Sequence, residues 1–398
     1  MAFEKLRAFM DVGRVQGVPV TAAVAILGSL TASRGPEVFD LFWLVIISIF
    51  AHVGGAAQNE LWDRRLDAAV KELGRKPLVS GALAPHEARA LVGFCVPFSL
   101  GLTLYVFGVG AFLALLLGSA WMLWYCTAGK RTFIVCDLAQ SVGFSGFALF
   151  GVLAVGAPTI LSWPFLGIVA ALVLFTQWGN GLKDADNDRR FGIPSFAVRS
   201  GVSSGRGLTA SHPYFIYGAA IKVAFMTFCT IPILLVPVPM AYILIVFSLG
   251  WPVQYFTMRE FIGRKTRPQY VRLLVGDLLL SYPAAAAMSI MGAGLTGFIW
   301  LGVFVFGGYL AGSALQSGAE FKFRMPISGP ARPLRPRPLK RPAQLRGAPF
   351  LMAWAPRGKG GFRQVECELL SIRPPDPLPA LRPDGTRADG VCMVEPLD

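Results

Sequence analysis

Long apolar stretches alternate with short polar connections over the first three quarters of the chain. A helix that crosses a bilayer needs about 20 consecutive apolar residues. Stretches of this length recur ten times, and by hydropathy we predict membrane-spanning helices at 17–34, 39–58, 89–108, 110–127, 133–155, 159–180, 213–236, 239–257, 273–291 and 295–316. This pattern predicts an all-α fold, a polytopic transmembrane helical bundle.

Composition supports a membrane protein over a soluble one. The 398 residues are 54% hydrophobic and 15% charged, whereas soluble domains are about 25% charged. Mean hydropathy is +0.55. Length alone would suggest two or three soluble domains, but the ten apolar stretches exclude that reading.

The positive charges gather in alternate connections. Lys and Arg follow the second, fourth, sixth and eighth stretches, while connections such as "GVGAF", "GAPTI" and "MGAGL" hold almost no charge. Basic loops stay in the cytoplasm, so we place these loops and the amino terminus there. The same distribution explains the net charge of +14 without nucleic acid as a partner.

The character of the chain changes after residue 317. Fourteen of the 29 prolines lie beyond Met325, in text such as "ARPLRPRPLKRP". A segment of this kind buries too little apolar surface to offset its ordering entropy. We therefore divide the chain into a transmembrane domain, 1–317, and a Pro/Arg-rich cytoplasmic tail, 318–398, predicted to be disordered.

Two polar clusters share one spacing at the cytoplasmic ends of the second and sixth stretches. Each has an Asn followed by Asp at i+4 and i+8: Asn59, Asp63 and Asp67 in the first, Asn180, Asp184 and Asp188 in the second. On a helix these residues share one face, about 6 Å apart along the axis. A single cluster is more often a solvated helix end with charge pairing. Two copies on one side favour a joint function.

Carboxylates gathered on one face repel each other unless a cation lies between them. Mg²⁺ takes oxygen ligands and is bound through one or two carboxylates together with substrate phosphates. The four Asp residues and Asn59 are thus candidate metal ligands, and Asn59 and Asn180 are also placed to orient a diphosphate. Nearby cations would contact the phosphates directly; the candidates are Arg75, Lys130, Lys183 and Arg189.

At these residues the chain resembles the UbiA superfamily of intramembrane prenyltransferases. Members carry N-D-x-x-D-x-x-x-D after the second helix and D-x-x-x-D after the sixth. Asn59, Asp63 and Asp67 match the first motif, with Glu60 where Asp is usual, and Asp184 and Asp188 match the second. "RKPLVSG" resembles the R-P-L-x-S-G run that follows the first motif, and the likeness extends over roughly residues 15–316 in segment order.

The resemblance implies a bundle of nine spans around a central cavity, where we count ten. It also implies Mg²⁺ as cofactor, a polyprenyl diphosphate as donor, and a small aromatic or lipid acceptor within the membrane. Asp63, Asp67, Asp184 and Asp188 would be the catalytic metal-holding acids. Lys130 would meet the diphosphate, although a positively charged topological anchor explains it equally well.

The chemistry expected is prenyl transfer, with the apolar cavity excluding water from an allylic cation. No general base stands out. Asp137 either belongs to the cavity or pairs with a loop cation, and Asp277 lies inside the ninth stretch. A secondary transporter and a catalytically silent membrane scaffold are the alternatives; a soluble isoprenyl diphosphate synthase is excluded by the apolar spans.

Overall fold

The computed structural model of the protein describes residues 2–70, 73–129, 132, 135–203, 210–262, 265–317, 351–357 and 361–367. Within these residues thirteen α-helices follow in chain order: α1 Ala2–Val12, α2 Val18–Ser29, α3 Val38–Ala68, α4 Pro77–Ser80, α5 Pro85–Thr127, α6 Val135–Val155, α7 Ser162–Arg190, α8 Phe196–Arg199, α9 His212–Leu235, α10 Met240–Leu244, α11 Trp251–Phe261, α12 Arg267–Ala286 and α13 Met288–Ser317. A 3₁₀ turn (Val15–Gly17) precedes α2, and a π-helical turn (Ile245–Gly250) joins α10 to α11.

The helical membrane bundle predicted from the hydropathy pattern is confirmed. Seven helices in the described residues are long and apolar enough to cross a membrane, or eight if the bent α1–α2 pair forms one span. The count is below the nine or ten predicted for two reasons. The stretches 89–108 and 110–127 fall within the single element α5. Helix α12, which holds most of the stretch 273–291, is not among the helices that are long and apolar enough to cross a membrane.

Helix α5 folds back on itself at Gly108. The backbone there is non-helical, with φ 80° and ψ −171°, a left-handed φ that favours glycine. Cys95 packs against Gly54 of α3, and Cys126 Sγ lies 3.6 Å from Oδ1 of Asn59, which is also on α3. A straight helix would hold those two cysteines about 46 Å apart, while their α3 partners are only about 7 Å apart. The element is therefore two antiparallel arms, as the two predicted stretches require.

Close backbone approaches bring helices α2 and α6 together. A Cβ added to Gly151 would lie 2.1 Å from the Ala25 carbonyl oxygen, and one added to Gly28 would lie 2.4 Å from that of Ala148. Small residues allow membrane helices to approach this closely. Gly294 gives a second fold-back, with φ 66° inside α13, in the predicted connection "MGAGL".

An aromatic cluster fixes the end of α7 that carries the second acidic motif. Trp178 is fully buried and stacks on Tyr214 of α9 with ring centroids 5.5 Å apart. The two residues exchange hydrogen bonds: Trp178 Nε1 donates to the Tyr214 carbonyl at 2.8 Å, and the Tyr214 hydroxyl donates to the Trp178 carbonyl at 2.6 Å. Asn180 follows two residues later, so its place on the bundle is set by this contact.

The chain divides into two compact units, Met1–Ile327 and Ser328–Asp398. Within the second unit an antiparallel hairpin pairs β1 (Leu351–Arg357) with β2 (Gly361–Cys367). The hairpin covers only 351–357 and 361–367 of the predicted tail 318–398. The rest of that segment lies outside the described residues, and both its disorder and the boundary at residue 317 stay predictions.

Candidate active site

The two acidic motifs line one cavity. It has a volume of about 790 Å³, and its wall is formed by α3, both arms of α5, α6 and α7, together with Thr21 of α2 and residues of adjoining loops. All six clustered residues contribute to its wall: Asn59, Asp63, Asp67, Asn180, Asp184 and Asp188. Because α3 and α7 both reach the cavity through their carboxyl-terminal turns, their acids meet at the same end of the bundle.

Lys76 lies between two carboxylates of the first motif. Its ammonium donates to Asp67 Oδ2 at 2.8 Å and to Glu60 Oε1 at 3.1 Å. Burial by itself lowers the pKa of Lys76, but the hydrogen bond to Asp67 and the charge of Glu60 raise it, and the net pKa is above the ordinary value. Lys76 is thus held as a cation within the acidic wall.

Glu60 is bound by two cations. Besides Lys76, it accepts a hydrogen bond from Arg14 Nη2 at 2.5 Å, and its side chain is only 7% exposed. Glu60 does not line the cavity, whereas Arg14 does. The residue that departs from the usual Asp of the motif therefore anchors the amino-terminal segment to α3.

The second motif carries its own ammonium group. Lys183 Nζ donates to Asn180 Oδ1 at 2.9 Å and lies 3.6 Å from Asp184 Oδ2. Lys183 also lines the cavity, where it was predicted to bind phosphate. Each motif thus pairs its carboxylates with one lysine that faces the same space.

Two of the predicted phosphate-binding residues point elsewhere. Arg75 is exposed and does not line the cavity; its neighbour Lys76 does. Arg189 donates to the Val202 carbonyl at 2.5 Å and to Asp186 at 3.2 Å, outside the cavity wall. Neither residue belongs to the described cavity wall, and their roles in phosphate binding stay predictions. Lys130 lies outside the described residues.

The oxygen-rich wall fits a hard divalent cation completed by substrate. Within the described ranges no three His, Cys, Asp or Glu side chains gather closely enough to hold a metal ion on their own. Mg²⁺ is usually bound through one or two carboxylates plus phosphate oxygens and water. Asp63 and Asp184, with their neighbours at i+4, supply carboxylates of that kind, and a diphosphate would supply the remaining ligands.

Below the acids the cavity wall is first amide-rich and then apolar. Gln58, Gln140 and Gln177 come from three different helices, and the Tyr125 hydroxyl donates to Gln177 Oε1 at 3.3 Å. Leu115, Leu116, Phe144 and Phe147 line the apolar part. No pattern in the sequence marks the glutamines, since isolated polar residues in apolar helices have no diagnostic spacing. We call Gln58, Tyr125, Gln140 and Gln177 the amide layer.

Related proteins are similar to this chain in sequence over about half of its length. The chain is 28% identical over 204 residues to digeranylgeranylglyceryl phosphate synthase of Korarchaeum cryptofilum, covering 50% of this chain and 69% of that one. It is 29% identical over 178 residues to protoheme IX farnesyltransferase of Pyrobaculum arsenaticum, covering 43% of this chain and 62% of that one.

Solved structures show the same bundle. A UbiA homolog from Aeropyrum pernix superposes with a TM-score of 0.57 at 18% identity, covering 71% of this chain and 98% of that one. A homolog from Archaeoglobus fulgidus bound to GPP and Mg²⁺ gives a TM-score of 0.54 at 14% identity, with 71% and 99% covered. At these identities the likeness speaks for the fold alone.

The family model of the UbiA prenyltransferases matches residues 18–265, which include both acidic motifs and every described residue of the cavity wall except Arg14. The chain is an integral membrane protein and belongs to the UbiA prenyltransferase family.

Proposed function

We propose that this protein transfers an isoprenyl group from a polyprenyl diphosphate to an aromatic or lipid acceptor inside the membrane. The observation that carries the proposal is the meeting of two Asn/Asp motifs, from α3 and α7, on one cavity. Family membership supports the reaction class, and a relative with GPP and Mg²⁺ bound supports the donor and the metal.

Residues at different depths of the cavity would have different roles. Asp63, Asp67, Asp184 and Asp188, with Asn59 and Asn180, would hold the metal at the cavity mouth. When bound, Mg²⁺ would neutralise the diphosphate and make it a better leaving group. Lys76 and Lys183 lie in the same wall and would contact phosphate oxygens through charge-assisted hydrogen bonds.

The apolar part of the cavity would hold the isoprenoid chain. Its leucine and phenylalanine side chains exclude water, which would otherwise capture the allylic carbon. The cavity of about 790 Å³ lies within the range of small-molecule sites, roughly 300–1,000 Å³. Donor and acceptor would therefore share one space, the donor's diphosphate at the acids and its chain among the apolar side chains.

We place the acidic end of the bundle in the cytoplasm. Arg14, Lys76 and Lys183 line the cavity at this end, and Arg189 and Arg190 end α7 beside it. Basic residues at the ends of membrane helices favour the cytoplasmic side. Reactivity of an introduced cysteine at exposed Arg75 toward an impermeant maleimide, in intact cells and in inverted vesicles, tests this orientation.

Turnover by the purified full chain tests the function. We would incubate it with Mg²⁺, geranylgeranyl diphosphate and a panel of hydroxyaryl and glycerol-lipid acceptors, and measure diphosphate release and prenylated product. We expect EDTA to stop the reaction and Asp63→Asn and Asp184→Asn each to abolish it. Asp186→Asn is the matched control, because Asp186 lies on α7 between the two acids but faces Arg189 outside the cavity.

Two results would contradict the proposal: EDTA-insensitive turnover, or full activity in either cavity variant. Transport of an unchanged solute into sealed vesicles would favour the transporter instead.

A further inference from the structure

The amide layer holds buried polar atoms that lack partners. Gln58 Nε2 and Gln140 Oε1 are each shielded from solvent and have no hydrogen-bond partner among the described residues. Both side chains line the cavity. Buried polar groups in folded proteins are nearly always hydrogen-bonded, so an exception calls for a ligand or a functional reason. One of these atoms is a donor and the other an acceptor, which is the complement of a hydroxyl group.

The depth of the layer fits the position of the reacting atoms. Gln58 precedes Asp63 by five residues on α3, and Gln177 precedes Asp184 by seven on α7. At 1.5 Å per residue the two glutamines lie about 7.5 and 10.5 Å along the helix axes below Asp63 and Asp184. A diphosphate gripped at the acids extends its allylic carbon toward this level, so a group held by the glutamines would face that carbon.

The layer is uncharged, and the described cations of the cavity lie at the acidic motifs rather than at the layer. Three Lys or Arg side chains in the described part of the wall reach the cavity: Arg14, Lys76 and Lys183. Arg14 binds Glu60, Lys76 binds Glu60 and Asp67, and Lys183 binds Asn180 and Asp184. All three are bound at the acidic motifs, above the amides. Among the described residues, therefore, no Lys or Arg lies at the level of the layer to balance the charge of an anionic head group.

Asp137 stands at the edge of the layer. It lines the cavity in the first turn of α6, three residues before Gln140, so the two side chains share one helix face. Its Oδ1 accepts a hydrogen bond from Cys136 Sγ at 3.2 Å. Asp137 belongs to neither acidic motif and is not among the residues proposed to hold the metal.

We propose that the amide layer binds an uncharged, hydroxyl-bearing acceptor and that Asp137 takes the proton this acceptor loses. The inference rests on the proposed prenyl transfer and extends it to the acceptor. The bond between the allylic carbon and the diphosphate oxygen breaks, and its electron pair leaves with the diphosphate. The hydroxyl oxygen of the acceptor, or a ring carbon that it activates, forms the new bond to the allylic carbon, and the displaced proton passes to the Asp137 carboxylate.

A matched pair of acceptors tests the preference for an uncharged head group. 4-Hydroxybenzamide and 4-hydroxybenzoate have nearly the same shape and differ in charge at neutral pH. With the full chain, Mg²⁺ and geranylgeranyl diphosphate, we expect kcat/KM to be at least tenfold higher for the amide. Equal values, or a preference for the acid, would overturn the proposal.

Substitutions in the layer separate binding from chemistry. Gln58→Leu and Gln140→Leu should each raise the KM for 4-hydroxybenzamide about tenfold, the effect of losing one hydrogen bond to a buried partner. The affinity for geranylgeranyl diphosphate should stay unchanged. Gln16→Leu is the matched control, since Gln16 Oε1 is also buried without a described partner but does not face the cavity.

Asp137→Asn should lower kcat at least about 100-fold, the lower range for loss of a general base, with KM and donor affinity within about threefold of the wild type. Asp137→Glu should recover part of kcat. An unchanged kcat in Asp137→Asn would overturn the role of the carboxylate. If the wild type binds the Mg²⁺–donor complex but prenylates neither acceptor, the acceptor assignment is wrong; if it binds no donor, the proposed function fails with it.

Discussion

A buried ion pair far from the acids gives the sharpest stability prediction. Lys222 of α9 and Asp277 of α12 form a salt bridge with side chains 4% and 2% exposed. The Lys222 ammonium also donates to Gln254 Oε1 at 2.7 Å and to Thr257 Oγ1 at 2.9 Å, so its three protons are all used. Nζ lies 4.0 Å from the ring centroid of Phe175 on α7. One ammonium thus joins α7, α9, α11 and α12.

Removing one partner should cost far more than removing both. Lys222→Met leaves the Asp277 carboxylate buried without its cation and Gln254 Oε1 without its donor. Breaking a buried pair in this way costs about 3–5 kcal/mol, whereas replacing both partners by apolar residues is often neutral or stabilising. We therefore expect Lys222→Met and Asp277→Leu each to lower the free energy of unfolding by about 3–5 kcal/mol, and the double variant to recover most of that loss.

A double-mutant cycle in detergent measures the coupling. Unfolding by SDS titration, followed by circular dichroism, gives the four free energies. Val223→Met is the control, because Val223 is adjacent in sequence but 54% exposed on the outer face of α9. Single losses below about 1 kcal/mol, or a double variant as unstable as the sum of the singles, would refute the reasoning.

Three further predictions address packing, charge and domain organisation. Gly151→Leu should lower the free energy of unfolding by about 1–3 kcal/mol, because the new side chain overpacks against Ala25. Gly276→Ala is the control: nothing lies within 4 Å of the added Cβ, so thermal or SDS unfolding should show no change or a gain of about 0.5–1 kcal/mol. Equal effects of the two substitutions would contradict the packing account. Lys76→Met should weaken calorimetric binding of geranylgeranyl diphosphate at least tenfold and Lys76→Arg much less. The pKa of Lys76 is raised above its ordinary 10.5. Its contribution to stability is therefore present below that pH and is lost only as pH rises through the folded-state pKa. A loss of stability near neutral pH in the wild type but not in Lys76→Met would contradict this. A chain ending at residue 317 should keep its turnover, since the described cavity wall lies between Arg14 and Ser195; an inactive truncation would show that the tail is essential.

Hydropathy predicted the helices well because a membrane span has a length set by the bilayer. The fold-backs at Gly108 and Gly294 fall in connections that the sequence marks by glycine and lack of charge. The count of spans differs from the count of apolar stretches for two reasons. The two antiparallel arms of α5 are counted as one element, and α12 carries Arg272 and Asp277 among its apolar residues.

The acidic motifs were predictable because spacing i, i+4, i+8 defines one helix face. The cations around the motifs were only partly predictable. Arg75 and Lys76 are adjacent, and the turn that leads into α4, rather than residue type, decides which faces the cavity. The pairing of Arg14 with Glu60 joins residues 46 positions apart, and the amide layer draws on α3, α5, α6 and α7. Contacts between residues this far apart in sequence are visible only in the packed structure.

Joint binding of one donor by both acidic motifs is the central claim, and calorimetry of geranylgeranyl diphosphate with Mg²⁺ tests it most directly. If both motifs bind one ligand, Asp63→Asn and Asp184→Asn should each weaken binding of the donor at least about 100-fold. The affinity of the double variant should then equal that of the single variant with the lower affinity. Asp186→Asn should bind like the wild type. Additive losses, or wild-type affinity in either cavity variant, would contradict a shared site.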